Sequence, residues 1–199
     1  HLASAMSGGY RSVQNAEPQA FEIIGPAPAG SMSSTGADMA LFMNAYLNNG
    51  EGLLRPETAR LVFDTVDAPF PGVNSMAIGF YQNNLNGRRI LGHGGDTAWF
   101  HSDLALMIDD GVGVFISLNS GGNSGLAPHL LRIEFLKAFV DRYYPAATPT
   151  DPEPLDSARE HGAAVAGVYE SSRRIESNPL RALSFIDQTE VGMAPNGDL

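Results

Sequence analysis

Between Leu104 and Leu118 the chain alternates apolar residues in two runs, Leu104, Leu106, Ile108 and then Val112, Val114, Ile116, Leu118, separated by Asp109-Asp110-Gly111. A period of two marks a strand with a buried face, and an Asp-Gly turn brings the chain back antiparallel. The segment therefore reads as a β-hairpin with one strongly apolar face. A hairpin alone is barely stable in water, so that face must pack against another element. The sequence after "NSGGNSG" offers one, a helix of about 15–18 residues. Its buried stripe would be Leu126, Leu130, Ile133, Leu136 and Val140, laid across the hairpin.

The stretch before the hairpin has the same β character. "MAIGFYQN" from Met76 reads as a strand, "NLNG" as a turn and "RRILGH" as a second strand. Earlier still, Met39, Phe42, Met43, Tyr46 and Leu47 fall on one helical face, with Ser34 or Thr35 as cap, Asp38 in the first turn and Gly50 as stop. Pro56 opens a second, shorter helix that carries Ala59, Leu61, Val62 and Val66. Residues 1–33, rich in Gly, Pro, Ser and Ala, show no period and read as extended segments and loops. The fold class is α+β, an antiparallel sheet flanked by helices.

A proline-rich run, "YYPAATPTDPEP" at 143–154, reads as a linker. It separates a first domain over 1–142 from a β-rich fragment over 155–199. In that fragment "AGVYESSRR" and "ALSFIDQTEVGMAPNGDL" look like short strands with an Asn-Gly turn. So few strands leave edges bare, so this reads as the start of a second domain.

Charge and composition narrow the chemistry. Twelve Lys plus Arg stand against 22 Asp plus Glu, a net charge of −10 with no basic cluster, which argues against a nucleic-acid or anionic-membrane partner. The absence of cysteine removes thiolate and disulfide chemistry and fits a periplasmic or secreted protein without selecting it. No apolar run approaches the roughly 20 residues of a membrane span. The chain opens at His1 with no signal-like region, and so reads as an internal or processed piece whose targeting signal lies elsewhere.

One histidine stands out. In Gly92-His93-Gly94-Gly95 it sits at a strand end among residues without side chains, where a backbone or ligand can approach closely. Such an edge offers main-chain donors, and imidazole offers a hydrogen bond or a proton. The bland alternative is a tight turn needing positive φ, with an incidental histidine. His93, Asp96, His101 and Asp103 match no recurrent metal-ligand spacing, so no metal and no other cofactor is expected. No Gly-x-Ser-x-Gly elbow is present. Trp99 and Phe100 either wall a cleft or pack the loop.

In order and spacing, "PAGSMSSTGADMALFMNAYLNNG", then "IGFYQNNLNGRRILGHGGDTAWFHSDLALMIDDGVGVFISLNSGG", then the long helix, resemble the C-terminal half of the serine β-lactamase-like family. That family includes class C β-lactamases, DD-peptidases, D-aminopeptidases and related esterases. Its members bring together Ser-x-x-Lys, Tyr-x-Asn or Tyr-x-Ser, and Lys-Thr-Gly or His-x-Gly. The resemblance implies that His93-Gly94-Gly95 is the third motif, with His93 in the place of the motif lysine. It further implies Gly94, Gly95 and Thr97 along the substrate, and the backbone N–H of Asp96 as one oxyanion donor. The tail is similar to the opening of the lipocalin-like domain that follows the catalytic domain in some of these hydrolases.

The other two motifs are not recognisable. The only lysine is Lys137, preceded three residues earlier by Glu134. Tyr46-Leu47-Asn48, Tyr81-Gln82-Asn83 and Tyr10-Arg11-Ser12 match Tyr-x-Asn or Tyr-x-Ser but sit in the wrong contexts. The chain thus reads as a half-site, inactive alone, whose partner is the missing N-terminal half of the same domain. The substrate would be a small amide or ester cleaved through an acyl-enzyme. A non-catalytic binding module on the same fold is the rival reading, and a membrane partner is left open.

Overall fold

The computed structural model describes residues 3–15, 17–25, 27–64, 74–146, 156–171, 177–186 and 188–194. The chain divides into two compact units, His1–Thr148 and Pro149–Leu199. The first unit is an antiparallel sheet with helices on both faces. Two short strands, β1 (Gly9–Tyr10) and β2 (Pro18–Gln19), pair with each other and are followed by one helical turn, α1 (Ala27–Gly30). Helices α2 (Gly36–Leu47) and α3 (Pro56–Asp64) precede β3 (Met76–Ala77), β4 (Phe80–Gln82), β5 (Ile90–Asp96), β6 (His101–Met107) and β7 (Val112–Leu118). These five strands form one sheet in sequence order, and α4 (Ala127–Tyr143) closes the unit.

Local chemistry accounts for the helix ends. Thr35 caps α2 through a bond from the Asp38 amide to its hydroxyl, 3.1 Å, while that hydroxyl donates to the Asp38 carboxylate, 2.8 Å. Asn49 at φ +57° and Gly50 at φ +86° follow the C-cap Asn48 in the left-handed geometry that ends the helix. Asn86 and Gly87 both have positive φ between β4 and β5, as a tight hairpin turn requires.

The expected single strand over 76–83 is two strands instead. Gly79 lies at φ +78°, which folds the segment into a short hairpin pairing Ala77 with Phe80. The β6–β7 hairpin also departs from expectation. Leu104 lies opposite Phe115, and Ala105 opposite Val114. Cross-strand partners share a face, so the two alternating runs point to opposite sides of the sheet. Leu104 and Leu106 pack with Leu91, Met43 of α2 and Phe63 of α3, whereas Ala105 and Met107 pack with Ile90, Leu136 and Val140 of α4. The sheet is buried on both faces, not one.

Helix α4 has the expected length, but its buried row is Pro128, Arg132, Leu136 and Val140, spaced by four. Leu126, Leu130 and Ile133, placed in the core by the sequence pattern, are exposed. In α3 the buried residues are Ala59 and Phe63, and Leu61 is exposed; Val66 lies outside the described residues.

Of the expected linker, Tyr143 and Tyr144 belong to the first unit. Tyr144 packs against the α4 face of the sheet and carries the Arg88 guanidinium over its ring. Residues 147–154 lie outside the described residues. The second unit holds α5 (Ala158–Val165), β8 (Gly167–Glu170), a 3-10 segment (Pro179–Phe185) and β9 (Gln188–Val191), with β8 and β9 antiparallel. The 3-10 segment replaces strand where "ALSF" was expected, and the Asn-Gly turn lies outside the described residues. Among the described residues no helix is long and apolar enough to cross a membrane.

A candidate active site at the free edge of β5

Strand β5 is paired with β6 along its whole length, from Ile90 opposite Met107 to Asp96 opposite His101. On its other edge, β4 reaches only as far as Gly92. Among the described residues no strand pairs with His93–Asp96 on that side. Gly92, Gly94 and Gly95 have no positive φ, so the segment is extended strand and not the tight turn of the bland reading.

The direction of each backbone group follows from the alternation along the strand. Ile90 turns both its groups toward the β4 side. Its N–H goes to Asn84 Oδ1 at 3.1 Å, and its C=O accepts from the Asn83 N–H at 2.8 Å. Every second residue faces the same way, so Gly94 and Asp96 direct their N–H and C=O groups to the open edge. Thr97 confirms the parity, because its N–H turns the other way, to the Phe100 carbonyl at 2.8 Å.

Side chains alternate too. His93 shares its face of the strand with Leu91; it is exposed, and its ring lies 5.4 Å from that of Tyr81. A Cβ on Gly95 would meet nothing within 4 Å, so the backbone beside His93 is open to approach. Gly92 is different. A Cβ there would lie 2.5 Å from the Leu104 carbonyl, and the close pairing of β5 with β6 requires glycine.

Asp96 turns its carboxylate to the α4 side. Arg132 Nη2 donates to both oxygens at 2.8 and 2.9 Å, and His101 Nδ1 donates to Oδ1 at 2.7 Å. Arg132 Nη1 bonds the carbonyls of Gly95 and Ser102. Burial pushes the Asp96 pKa up, but hydrogen bonds from His101 and Arg132, with their charges, outweigh it and hold the group below its ordinary range. Asp103, on the same face of the sheet, goes the other way. Burial raises its pKa, and attraction from Arg132 offsets that only in part.

The turn after Asp96 is pinned by Glu22. That carboxylate accepts from the Thr97 hydroxyl, from the Ala98 N–H at 2.7 Å and from the Trp99 N–H at 3.1 Å. Burial raises the Glu22 pKa, and these bonds outweigh it to lower it. Thr97 therefore spends its hydroxyl on the turn. Trp99 packs on Gly9 of β1, where an added Cβ would lie 2.5 Å from the Trp99 Cβ, and Arg11 lies over the indole at 5.7 Å. The indole thus packs the loop against β1. A cavity of about 350 Å³ opens beside the turn, bordered by Arg11, Thr97, His101 and the 121–125 loop.

The remaining candidates are engaged elsewhere. Lys137 bonds Asp141 at 2.7 Å on α4. Ser102 bonds Ser117 at 2.9 Å, and Ser120 accepts from the Gly122 N–H. Tyr46 is packed among the rings of Phe42, Phe63 and Phe80. Sequence reasoning missed Arg132 and Glu22. Arg132 lies in an i, i+4 row with Pro128, Leu136 and Val140 that only the structure shows to be buried, and Glu22 lies in a stretch without period, so neither gave a signal in the sequence.

The family model described as Beta-lactamase matches residues 2–138. The chain belongs to the β-lactamase family. This β-lactamase-family chain has the antiparallel sheet flanked by helices expected of the serine β-lactamase-like fold. Comparison with curated proteins finds no match. Among solved structures it is similar to the octameric penicillin-binding protein homologue from Pyrococcus abyssi, at 18% identity and TM-score 0.45, over 82% of this chain and 36% of that one. The chain thus spans about a third of that neighbour's length.

Proposed function

We propose that the protein to which this chain belongs is a serine hydrolase that cleaves an amide or ester through an acyl-enzyme. The observation that carries the reading is the open edge of β5, where the Asp96 N–H faces outward beside exposed His93 and the side-chain-free Gly95. A tetrahedral intermediate needs fixed N–H donors where negative charge develops, and a bare strand edge supplies them. His93 would donate to or exchange a proton with the substrate, and Gly94 and Gly95 would lie along it. Thr97 would act through the turn that its hydroxyl holds. The nucleophile and its base would come from a Ser-x-x-Lys segment outside these 199 residues, since the single lysine is bound to Asp141. The proposal extends to a periplasmic or secreted location, which a cysteine-free chain suits.

The test compares this chain with a longer protein containing it and a Ser-x-x-Lys segment. Each is exposed to a chromogenic ester, a chromogenic β-lactam and a fluorophosphonate. The longer protein should be labelled at the Ser-x-x-Lys serine, and His93→Ala should lower kcat/KM by roughly ten- to a thousandfold. The 199-residue chain should neither turn over nor be labelled. Stoichiometric labelling of a serine in the short chain would sink the half-site reading. No labelling of the longer protein would favour a binding module that keeps the fold without the chemistry.

A further inference from the structure

Beyond Gly92 the end of β5, which carries the outward N–H of Asp96, is paired on one edge only among the described residues, and the β5–β6 register ends at Asp96. A strand end held on one side frays readily. A donor that must already be aimed when charge develops cannot sit on a fraying backbone. The turn that follows is closed by the Thr97 N–H on the Phe100 carbonyl and pinned by Glu22, and the Asp96 carboxylate supplies a further hold.

We propose that Arg132 and His101 are positioning residues: by gripping the Asp96 carboxylate from α4 and β6, they fix the direction of the Asp96 backbone N–H at the open edge of β5. The inference rests on the serine-hydrolase reading above, because it assigns a purpose to the donor that reading uses.

Three features carry it. The grip is multiple, since Arg132 reaches both Asp96 oxygens through one terminal nitrogen and the Gly95 and Ser102 carbonyls through the other. It thereby ties together the last two residues of β5 and the strand opposite. It is also anchored, because Arg132 is 4% exposed and sits in the row of α4 that Pro128, Leu136 and Val140 bury against the unit. Neighbours on the helix and the sheet enclose the guanidinium. Finally, the arrangement is poor if stability were its only purpose. Arg132 Nε and His101 Nε2 are both buried without a hydrogen-bond partner among the described residues. A buried guanidinium with an orphaned nitrogen carries a desolvation cost that an apolar residue of the same volume avoids, and its Asp96 partner is half exposed, so the pair returns little stability. The titratable groups around the grip are His129, whose Nδ1 lies 3.4 Å from Arg132 on α4, Asp103 on the same face of β6, and Glu22 acting on His101.

The experiment uses the full-length, catalytically competent protein and the variants Arg132→Met, Asp96→Asn and His101→Gln. Ester kcat and KM are measured together with the affinity of a boronic acid, whose oxygen takes the place of the developing oxyanion. In folded variants kcat should fall about ten- to a hundredfold, less than for deleting a donor outright, with KM changed by less than about threefold. Boronate affinity should fall in proportion to kcat/KM. Where Arg132→Met does not fold, Asp96→Asn, which keeps the side-chain shape, gives the same readout. Folded variants that keep kcat and boronate affinity within about twofold would make the grip a structural strut only and overturn the inference. A rise in KM at constant kcat would overturn it as well. A wild-type protein without turnover or labelling would remove the serine-hydrolase reading itself. Active wild type with indifferent variants removes only the positioning role.

Discussion

Two aspartates on one face of the sheet have opposite fates. Asp96 meets a guanidinium and an imidazole and is kept ionised; Asp103 is buried further without a comparable partner, and its pKa rises. The sign for stability follows from linkage. A carboxylate whose folded pKa exceeds its unfolded value, about 3.9, opposes folding once it ionises. The stability it permits is full below the unfolded value and is lost as pH rises through the raised folded value. Asp103→Asn should therefore stabilise the protein at pH 7, and the gain should vanish below about pH 4. Urea unfolding of both proteins at pH 3 and pH 7 checks this, and equal gains at the two pH values would contradict it. The sequence made the residues of this cluster visible as an unpatterned His/Asp group, but not their roles. The sequence pointed to Asp96 through its backbone N–H alone, because the arginine that grips its carboxylate lies 36 positions away, on another element.

Among the elements, the capped helix α2 and strands β5 to β7 stood where local pattern put them, since caps, turns and alternation are encoded within a few residues. Helix α4 shows where pattern runs out. It carries apolar residues on several sides, so periodicity alone could not choose the row that meets the sheet. The packed row is the one that contains Arg132, and the hydropathic pattern argues against that row. The two rows predict different energetics. Leu136→Ala, at 8% exposure, should cost about 2–5 kcal/mol through lost contact and cavity. Leu130→Ala, at 55% exposure, should stay within about 0.5 kcal/mol. Denaturant melts of the pair measure the difference, and comparable losses would mean that α4 packs through another face. The β6–β7 hairpin failed for a related reason. Each strand alternates clearly, but which run shares a face with which depends on register, and register is set by the turn and the whole sheet.

For the whole molecule, the family was legible because order and spacing of motifs survive where single residues mislead. The division of the chain is a separate matter of where its apolar contacts lie. Among the described residues, both apolar clusters of the first unit draw on residues between Met39 and Tyr144. Strands β8 and β9 of the second unit bury none of their residues, and Phe185 and Ile186 are exposed. Stability of the first unit should therefore be independent of residues 149–199. A chain ending at Thr148 should melt within about 2 °C of the first unit in the 199-residue chain, less than 1 kcal/mol for a domain of this size. The measurement is thermal unfolding followed through Trp99, the only tryptophan, which reports from the loop beside the candidate site. An unchanged melt with the same Trp99 emission would show that the β5 edge, its Asp96 grip and the Glu22-pinned turn are the property of the first unit alone. A melt lowered by more than about 5 °C would mean that the tail contributes more than 1 kcal/mol to that unit, and the independence would be wrong.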